Sequence, residues 1–223
     1  MPDVKRIVAI DGPAGVGKST TSRMVAKELD LPHIDTGAMY RAIGLAALRE
    51  EIDPHDEEAL ADLASRTRID FVPGQRARVM LNGDDVTEEI RMPEVSMAAS
   101  DVSTVPAVRR ILVRLQQDLG RRLGGVLEGR DIGTKVFPTT RCKFFLTARP
   151  EVRAKRRFDE LRTKGVSADF AKVLEETLAR DEQDSTRTDS PLTYDETYTV
   201  IDTSDLPIEE VVAAIVKRVR ALC

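Results

Sequence analysis

The sequence predicts an α/β fold, a parallel sheet covered by helices on both faces with a small antiparallel insert, and three observations predict it. Short apolar runs alternate with longer segments of helical period: RIVAI, GVLEG, CKFFLTA and YTVID against TGAMYRAIGLAALRE, VPAVRRILVRLQQDLGRRL, EVRAKRRFDELRTKG and IEEVVAAIVKRVRAL. A glycine-rich turn separates the first such run from the first helical segment. Residues 68–90, RIDFVPGQRARVMLNGDDVTEEI, instead read as two β-type runs joined by turn residues, with a further turn at Asn82-Gly83.

The first element is the run 7–10, β-branched residues and alanine suited to a strand buried on both faces. Gly12, Gly15 and Gly17 follow at once and allow consecutive backbone amides to turn inward on an anion. Lys18 adds a point charge for β and γ phosphates, and the Ser19 hydroxyl is a candidate Mg²⁺ ligand. Residues 18–29 read as a helix with Met24, Val25 and Leu29 on one side and its positive dipole end aimed at the same anion. The spacing from Gly12 to Ser19 is G-x-x-x-x-G-K-S, with the strand before and the helix after that this motif requires. The segment Gly12, Pro13, Ala14, Gly15, Val16, Gly17, Lys18, Ser19 and Thr20 is therefore expected to cradle nucleotide phosphates. The competing reading is a strand-to-helix turn with no ligand.

Next comes DTGAMYR, in which Asp35 ends a short strand and Thr36 and Gly37 open a helix. Arg41 falls one turn on, beside Tyr40. Carboxylate, hydroxyl, helix N-terminus and guanidinium within seven residues suit a second phosphate and an Mg²⁺-bound water. An ordinary N-cap with solvated charges fits equally well. Further on, LEGRDIGTKVFP sets Glu128, Arg130 and Asp131 directly after a buried strand start. Ligands of open α/β sheets bind beyond the carboxyl ends of strands, where these charges fall. A structural Arg130–Asp131 pair is the alternative.

Residues 149–164 carry seven Lys or Arg (149, 153, 155, 156, 157, 162, 164) against three acids, net +4 in an acidic protein. A solvated helix face usually explains such a run. The neighbouring ARDEQDSTR places Arg180, Asp184 and Arg187 on one face of a helix, a mixture suited to a segment that closes over phosphates.

Composition narrows the classes. The chain of 223 residues is 41% hydrophobic and 32% charged, the balance of a globular protein with a substantial core. A net charge of −4 gives no global field for a nucleic-acid polymer. Cys142 and Cys223 lack metal-ligand spacing and are expected as reduced thiols, a bridge between them being the alternative. The opening MPDVKRIVAID has no apolar signal stretch, and no run approaches membrane-spanning length, so a cytoplasmic location is expected.

IDGPAGVGKST, DTGAMYR, NGDDVTEEIR, EGRDIGT and RDEQDSTRTDSPL together resemble the bacterial cytidylate kinase family, across essentially the whole chain. The first two fit several small-molecule kinases; the combination with GRD, the insert before ASDVS and the R-D-x-x-D-x-x-R segment is more specific. The resemblance implies a P-loop kinase core with a parallel five-stranded sheet flanked by helices (about 1–60, 101–150 and 188–223), an acceptor-binding insert (about 61–100) and a helical lid (about 151–187). It implies transfer from ATP to CMP and dCMP in pyrimidine nucleotide metabolism, with Mg²⁺, by a monomer engaging neither nucleic acid nor membrane. Carried over by position, residues 12–20 would hold ATP. Lys18, Arg130, Arg157 and Arg180 would be catalytic cations. Ser19, and Asp35 through water, would serve the metal. Thr36, Arg41 and Arg130 would hold the acceptor phosphate beside Tyr40, Ser100, Arg109 and Asp131 the base, and Asp184 and Arg187 the sugar. Glu128 departs from the family, where an Asp can stand before GRD.

Such a kinase needs no base of unusual pKa, because its nucleophile is an ionised phosphate oxygen, and catalysis is alignment plus charge neutralisation. A GTPase switch would share the phosphate loop, but no N-K-x-D segment is present. A nucleotide sensor would not need arginines for a second phosphate. A P-loop kinase for another nucleoside monophosphate or a hydroxyl acceptor is the nearest competing enzyme.

Overall fold

The structure is a computed structural model that describes residues 6–72 and 78–222. It divides into two compact units, Met1–Ile34 with Gln117–Cys223, and Asp35–Gln116.

In the first unit β1 (Ile7–Asp11) is the centre of a five-stranded sheet. Its companions are β2 (His33–Asp35), β6 (Gly125–Gly129), β7 (Cys142–Thr147) and β8 (Thr199–Asp202), in the order β2-β6-β1-β7-β8. β1 runs parallel to β6 and β7, and β7 parallel to β8. Val8, Ala9 and Ile10 are wholly buried, which explains why this strand reads as an unbroken apolar run rather than an alternating one. One face packs Val8, Ile10, Val126, Phe144 and Leu146 against Val25 of α1 (Lys18–Leu29) and Val211, Ile215 and Val219 of α8 (Ile208–Leu222). At the edge, β8 leaves Val200 exposed.

Helices α6 (Pro150–Thr163) and α7 (Phe170–Thr186) form the expected helical pair. Asp169 caps α7 by accepting the Lys172 N–H at 2.9 Å, and Phe158 meets Phe170 edge to face, centroids 6.0 Å apart. The buried Arg153 forks onto Asp181, with one N–H···O contact of 2.8 Å, and so joins α6 to α7.

The second unit holds α2 (Gly37–Arg49), α3 (Glu57–Arg66), β3 (Ile69–Val72), β4 (Arg78–Leu81), β5 (Asp84–Asp85), α4 (Pro93–Val102) and most of α5 (Pro106–Leu123). Its antiparallel sheet, β3-β4-β5, is the insert read from residues 68–90. The turn expected within 73–77 lies outside the described residues. Asn82 and Gly83, both with positive φ, make the tight turn from β4 to β5. Helices α3 and α4 were not anticipated by the patterning; Asp56 caps α3, and Pro93 opens α4 at its first turn.

Cys142, wholly buried on β7, is disulfide-bonded, which corrects the expectation of a reduced thiol there. No helix among the described residues is long and apolar enough to cross a membrane.

Candidate active site

The phosphate loop grows directly out of β1. Gly12, Gly15 and Gly17 have φ of 146°, 78° and 91°, conformations costly for any residue with a Cβ. At Gly12 a Cβ would also stand 2.2 Å from the Leu146 carbonyl oxygen of β7. Gly17 is the left-handed N-cap of α1 and has no side-chain cap, so the first amides of α1 remain for an anion. Lys18 is buried and donates to the carbonyls of Gly12 and Pro13 at 2.7 and 2.6 Å. Burial, reinforced by the Arg130 charge, holds its ammonium well below the ordinary lysine pKa.

The Ser19 hydroxyl donates to Glu128 Oε2 at 2.8 Å, and His33 Nε2 lies 2.9 Å from Glu128 Oε1. β6 runs parallel to β1 in a register that sets Glu128 beside Ile10, so its carboxylate emerges at the strand ends, next to the loop. Ser19 and Glu128 together present hard oxygen donors of the kind Mg²⁺ prefers.

Past β6, the chain turns through Arg130 and Asp131 into a π-helical turn at 132–136. Arg130 Nε donates to Asp184 at 2.8 Å, and Arg187 Nη1 donates to the other oxygen of Asp184 at 3.2 Å. Burial alone would raise the Asp184 carboxyl; the charges of Arg130, Arg187 and Arg180 outweigh it and hold the group below its ordinary value. The structure therefore gathers Arg130, Arg180, Asp184 and Arg187 as one cluster in the unit that bears the loop. Arg130 and Asp131 do not need each other as partners, since Arg130 is committed to Asp184.

Arg157 is placed otherwise. Its guanidinium pairs with Glu160 on its own helix at 2.9 Å. Two other arginines of α6 reach the phosphate loop: Arg153, donating to the Ala14 carbonyl at 3.3 Å, and Arg156, 3.4 Å from the Gly15 carbonyl and 2.6 Å from that of Thr203. Sequence inspection saw seven basic residues here and had no signal for which of them face inward; helix phase alone does not tell.

In the second unit, Thr36 is buried at the N-cap of α2. Asp35 accepts the Ala38 N–H at 3.1 Å and the Arg41 guanidinium at 2.6 Å. Arg109 on α5 is 2% exposed, stands 5.6 Å over the ring of Tyr40 and donates to the Ser103 carbonyl at 3.2 Å. Ser100, half-buried, occupies α4 three residues before Ser103, whose hydroxyl donates to the Ser100 carbonyl at 2.7 Å.

Sequence reasoning did not single out His33 or Asp11, counted Arg153 and Arg156 only among the seven basic residues of 149–164, and placed Glu128 at a ligand-facing strand end without a specific role. Asp11 was findable by the signal that had picked out Glu128: it is an acid at the carboxyl end of a strand that reads as buried.

The family model described as cytidylate kinase matches residues 8–221. A cytidylate kinase of Caldicellulosiruptor bescii is 50% identical over 212 residues, 94% of this chain and 93% of that protein. One of Caldanaerobacter subterraneus is 49% identical over 213 residues, 96% of this chain and 94% of its own length. Among solved structures, an uncharacterized protein from Eubacterium ventriosum shares the fold with a TM-score of 0.55 at 12% identity, covering 97% of this chain and 99% of its own.

Proposed function

The chain belongs to the cytidylate kinase family, and from that premise we propose that it transfers the γ-phosphoryl group of ATP to the phosphate of CMP and dCMP, giving ADP with CDP or dCDP. The observation that carries this reading is the Arg130, Arg180 and Arg187 cluster around Asp184 in the unit of the phosphate loop. A nucleotide sensor has no use for that much positive charge beside its own phosphate site.

The nucleophile is the acceptor's own ionised oxygen, so no side chain has to remove a proton. The loop amides of residues 12–20 and the helix dipole bind the donor phosphates, and Lys18 exchanges its carbonyl partners for phosphate oxygens. Arg130 and Arg180 neutralise charge spread over the transferred group. Arg157 can join them only after leaving Glu160. Ser19, with Glu128 beside it, would be the direct donor for Mg²⁺, and the family pattern would give Asp35 a role through water. Bound with ATP, Mg²⁺ supplies neutralisation of the phosphates.

Acceptor roles are assigned unit by unit. Thr36, Tyr40 and Arg41 serve the phosphate end and Ser100 and Arg109 the base; in the other unit Arg130 serves the phosphate, Asp131 the base, and Asp184 and Arg187 the sugar. Cytosine offers an amino donor beside two acceptors, complementary to a hydroxyl or carboxylate and a guanidinium. The protein works as a cytoplasmic monomer in pyrimidine nucleotide metabolism.

A coupled assay of ADP formation against a panel of nucleoside monophosphates tests this. CMP and dCMP should support turnover, UMP should be poor, and purine monophosphates negligible. Equal rates with all acceptors, or none with CMP, would overturn the proposal.

A further inference from the structure

Asp11 closes β1 one residue before Gly12 and is wholly buried. Its Oδ1 accepts the Ile132 N–H at 2.9 Å, and its Oδ2 accepts the Gly133 N–H at 2.9 Å and the Tyr198 hydroxyl at 2.8 Å. Ile132 and Gly133 open the π-helical turn directly behind Arg130 and Asp131. One carboxylate thus ties the root of the phosphate loop to the turn that carries Arg130. The fit is close: a Cβ on Gly133 would fall 2.5 Å from the Tyr198 hydroxyl. π-helical turns are rare and cluster at functional sites, and this one is held from outside rather than by its own length.

We propose that Asp11, together with Tyr198, is a positioning residue for phosphoryl transfer: its ionised carboxylate fixes Arg130 and Asp131 against the phosphate loop and so brings the acceptor phosphate into line with the donor. The inference rests on the kinase reading above.

Three donors converge on two oxygens, and only the carboxylate can accept from all three. A carboxylic acid would turn its own hydroxyl toward an N–H or O–H, and the turn would be released on that side. The charged groups around Asp11 do not offset its burial with a partner. Asp131 repels it, Arg130 senses it without bonding to it, and Lys143 stands 5.6 Å from the Tyr198 ring centroid and donates to the Thr197 hydroxyl. Burial pushes the Asp11 carboxyl up to about 6, with Asp131 adding to the rise and the three hydrogen bonds opposing it. The ordering contact is therefore intact at pH 8 and lost as the pH falls through about 6. Stability responds with the opposite sign. An Asp whose carboxyl is raised on folding binds its proton earlier in the folded chain, so ionised Asp11 costs stability while serving turnover.

The test measures kcat from pH 5 to 8, with ATP and CMP saturating, and the melting temperature of the same samples. Tyr198→Phe removes one donor to the ionised form while keeping the ring, so the acidic limb of kcat should move up by about one pH unit. The acceptor phosphate ionises in the same range but is identical in both assays, so the displacement belongs to the protein. Asp11→Asn should lower kcat at least about tenfold with little change in the KM for ATP, and should melt no lower than the parent at pH 8. Coincident limbs for the parent and Tyr198→Phe, or an Asp11→Asn protein that loses stability but keeps kcat, would overturn the proposal and leave the kinase reading standing. A parent that forms no ADP with CMP overturns both.

Discussion

A buried lysine in contact with two carbonyls is costly to keep charged. Lys18 is held well below its ordinary pKa by burial and by Arg130, so its ammonium detracts from folding stability, while the proposed function has it serve the transferred phosphoryl group. Lys18→Met keeps the bulk and removes the charge. Turnover should fall by about 10²- to 10³-fold, the scale for losing one preorganised donor, while the melting temperature at pH 8 stays level or rises. A Lys18→Met protein with near-parental turnover would show that the loop is not the donor site. Arg109 makes the complementary case, because its guanidinium stands over Tyr40 far along the chain from the phosphate loop. Arg109→Met should raise the KM for CMP by about tenfold or more and narrow the gap to UMP, leaving the KM for ATP nearly unchanged, since mispaired polar groups are what penalise the wrong base. Equal weakening of ATP and CMP would instead make Arg109 a packing residue.

At the level of elements, α6 and α7 are the least buried helices of the first unit. Among their buried residues are Ala154, Val173, Arg153 and Asp184, while Val166 between them and Phe170 and Leu178 on α7 are exposed. Little apolar surface would be uncovered by opening this pair, whose two helices the Arg153–Asp181 fork joins to each other. Limited trypsin digestion should therefore cut within 151–187 first, and a ligand joining ATP to CMP through their phosphates should suppress that cutting. Unchanged cleavage with the ligand would describe a fixed pair of helices rather than a lid.

Over the whole molecule, two buried aspartates set opposite pH dependences. Asp184 lies below its ordinary carboxyl value, so it contributes stability above about 4 that is lost as the pH falls further through its folded value. Asp11 lies at about 6, so its proton uptake adds stability between about 6 and 4. Asp184→Asn leaves Arg130 and Arg187 without their carboxylate and should cost about 3 kcal/mol at pH 7. Melting curves from pH 8 to 3 should show this loss largest at neutral pH and shrinking below pH 4. A loss independent of pH would assign the effect to packing instead.

By itself the sequence determined the phosphate loop, the strand and helix flanking it, the remaining strands of the sheet and the small antiparallel insert. These depend on neighbours along the chain: apolar runs, helical period, and glycines where φ turns positive. It also brought Arg130, Asp184 and Arg187 under suspicion, because charge at a strand end or on one helix face is visible in spacing. Only the tertiary structure decided which charges meet. Arg130 chooses Asp184, 54 residues away, over the adjacent Asp131, and Arg153 and Arg156 face the phosphate loop while Arg157 turns to Glu160. Asp11 looked like an ordinary strand end until the fold set Ile132, Gly133 and Tyr198 around it. The physical reason is common to all of these: a buried charge takes whichever partner the packing of distant elements delivers within hydrogen-bonding distance, and nothing local in the chain specifies that partner.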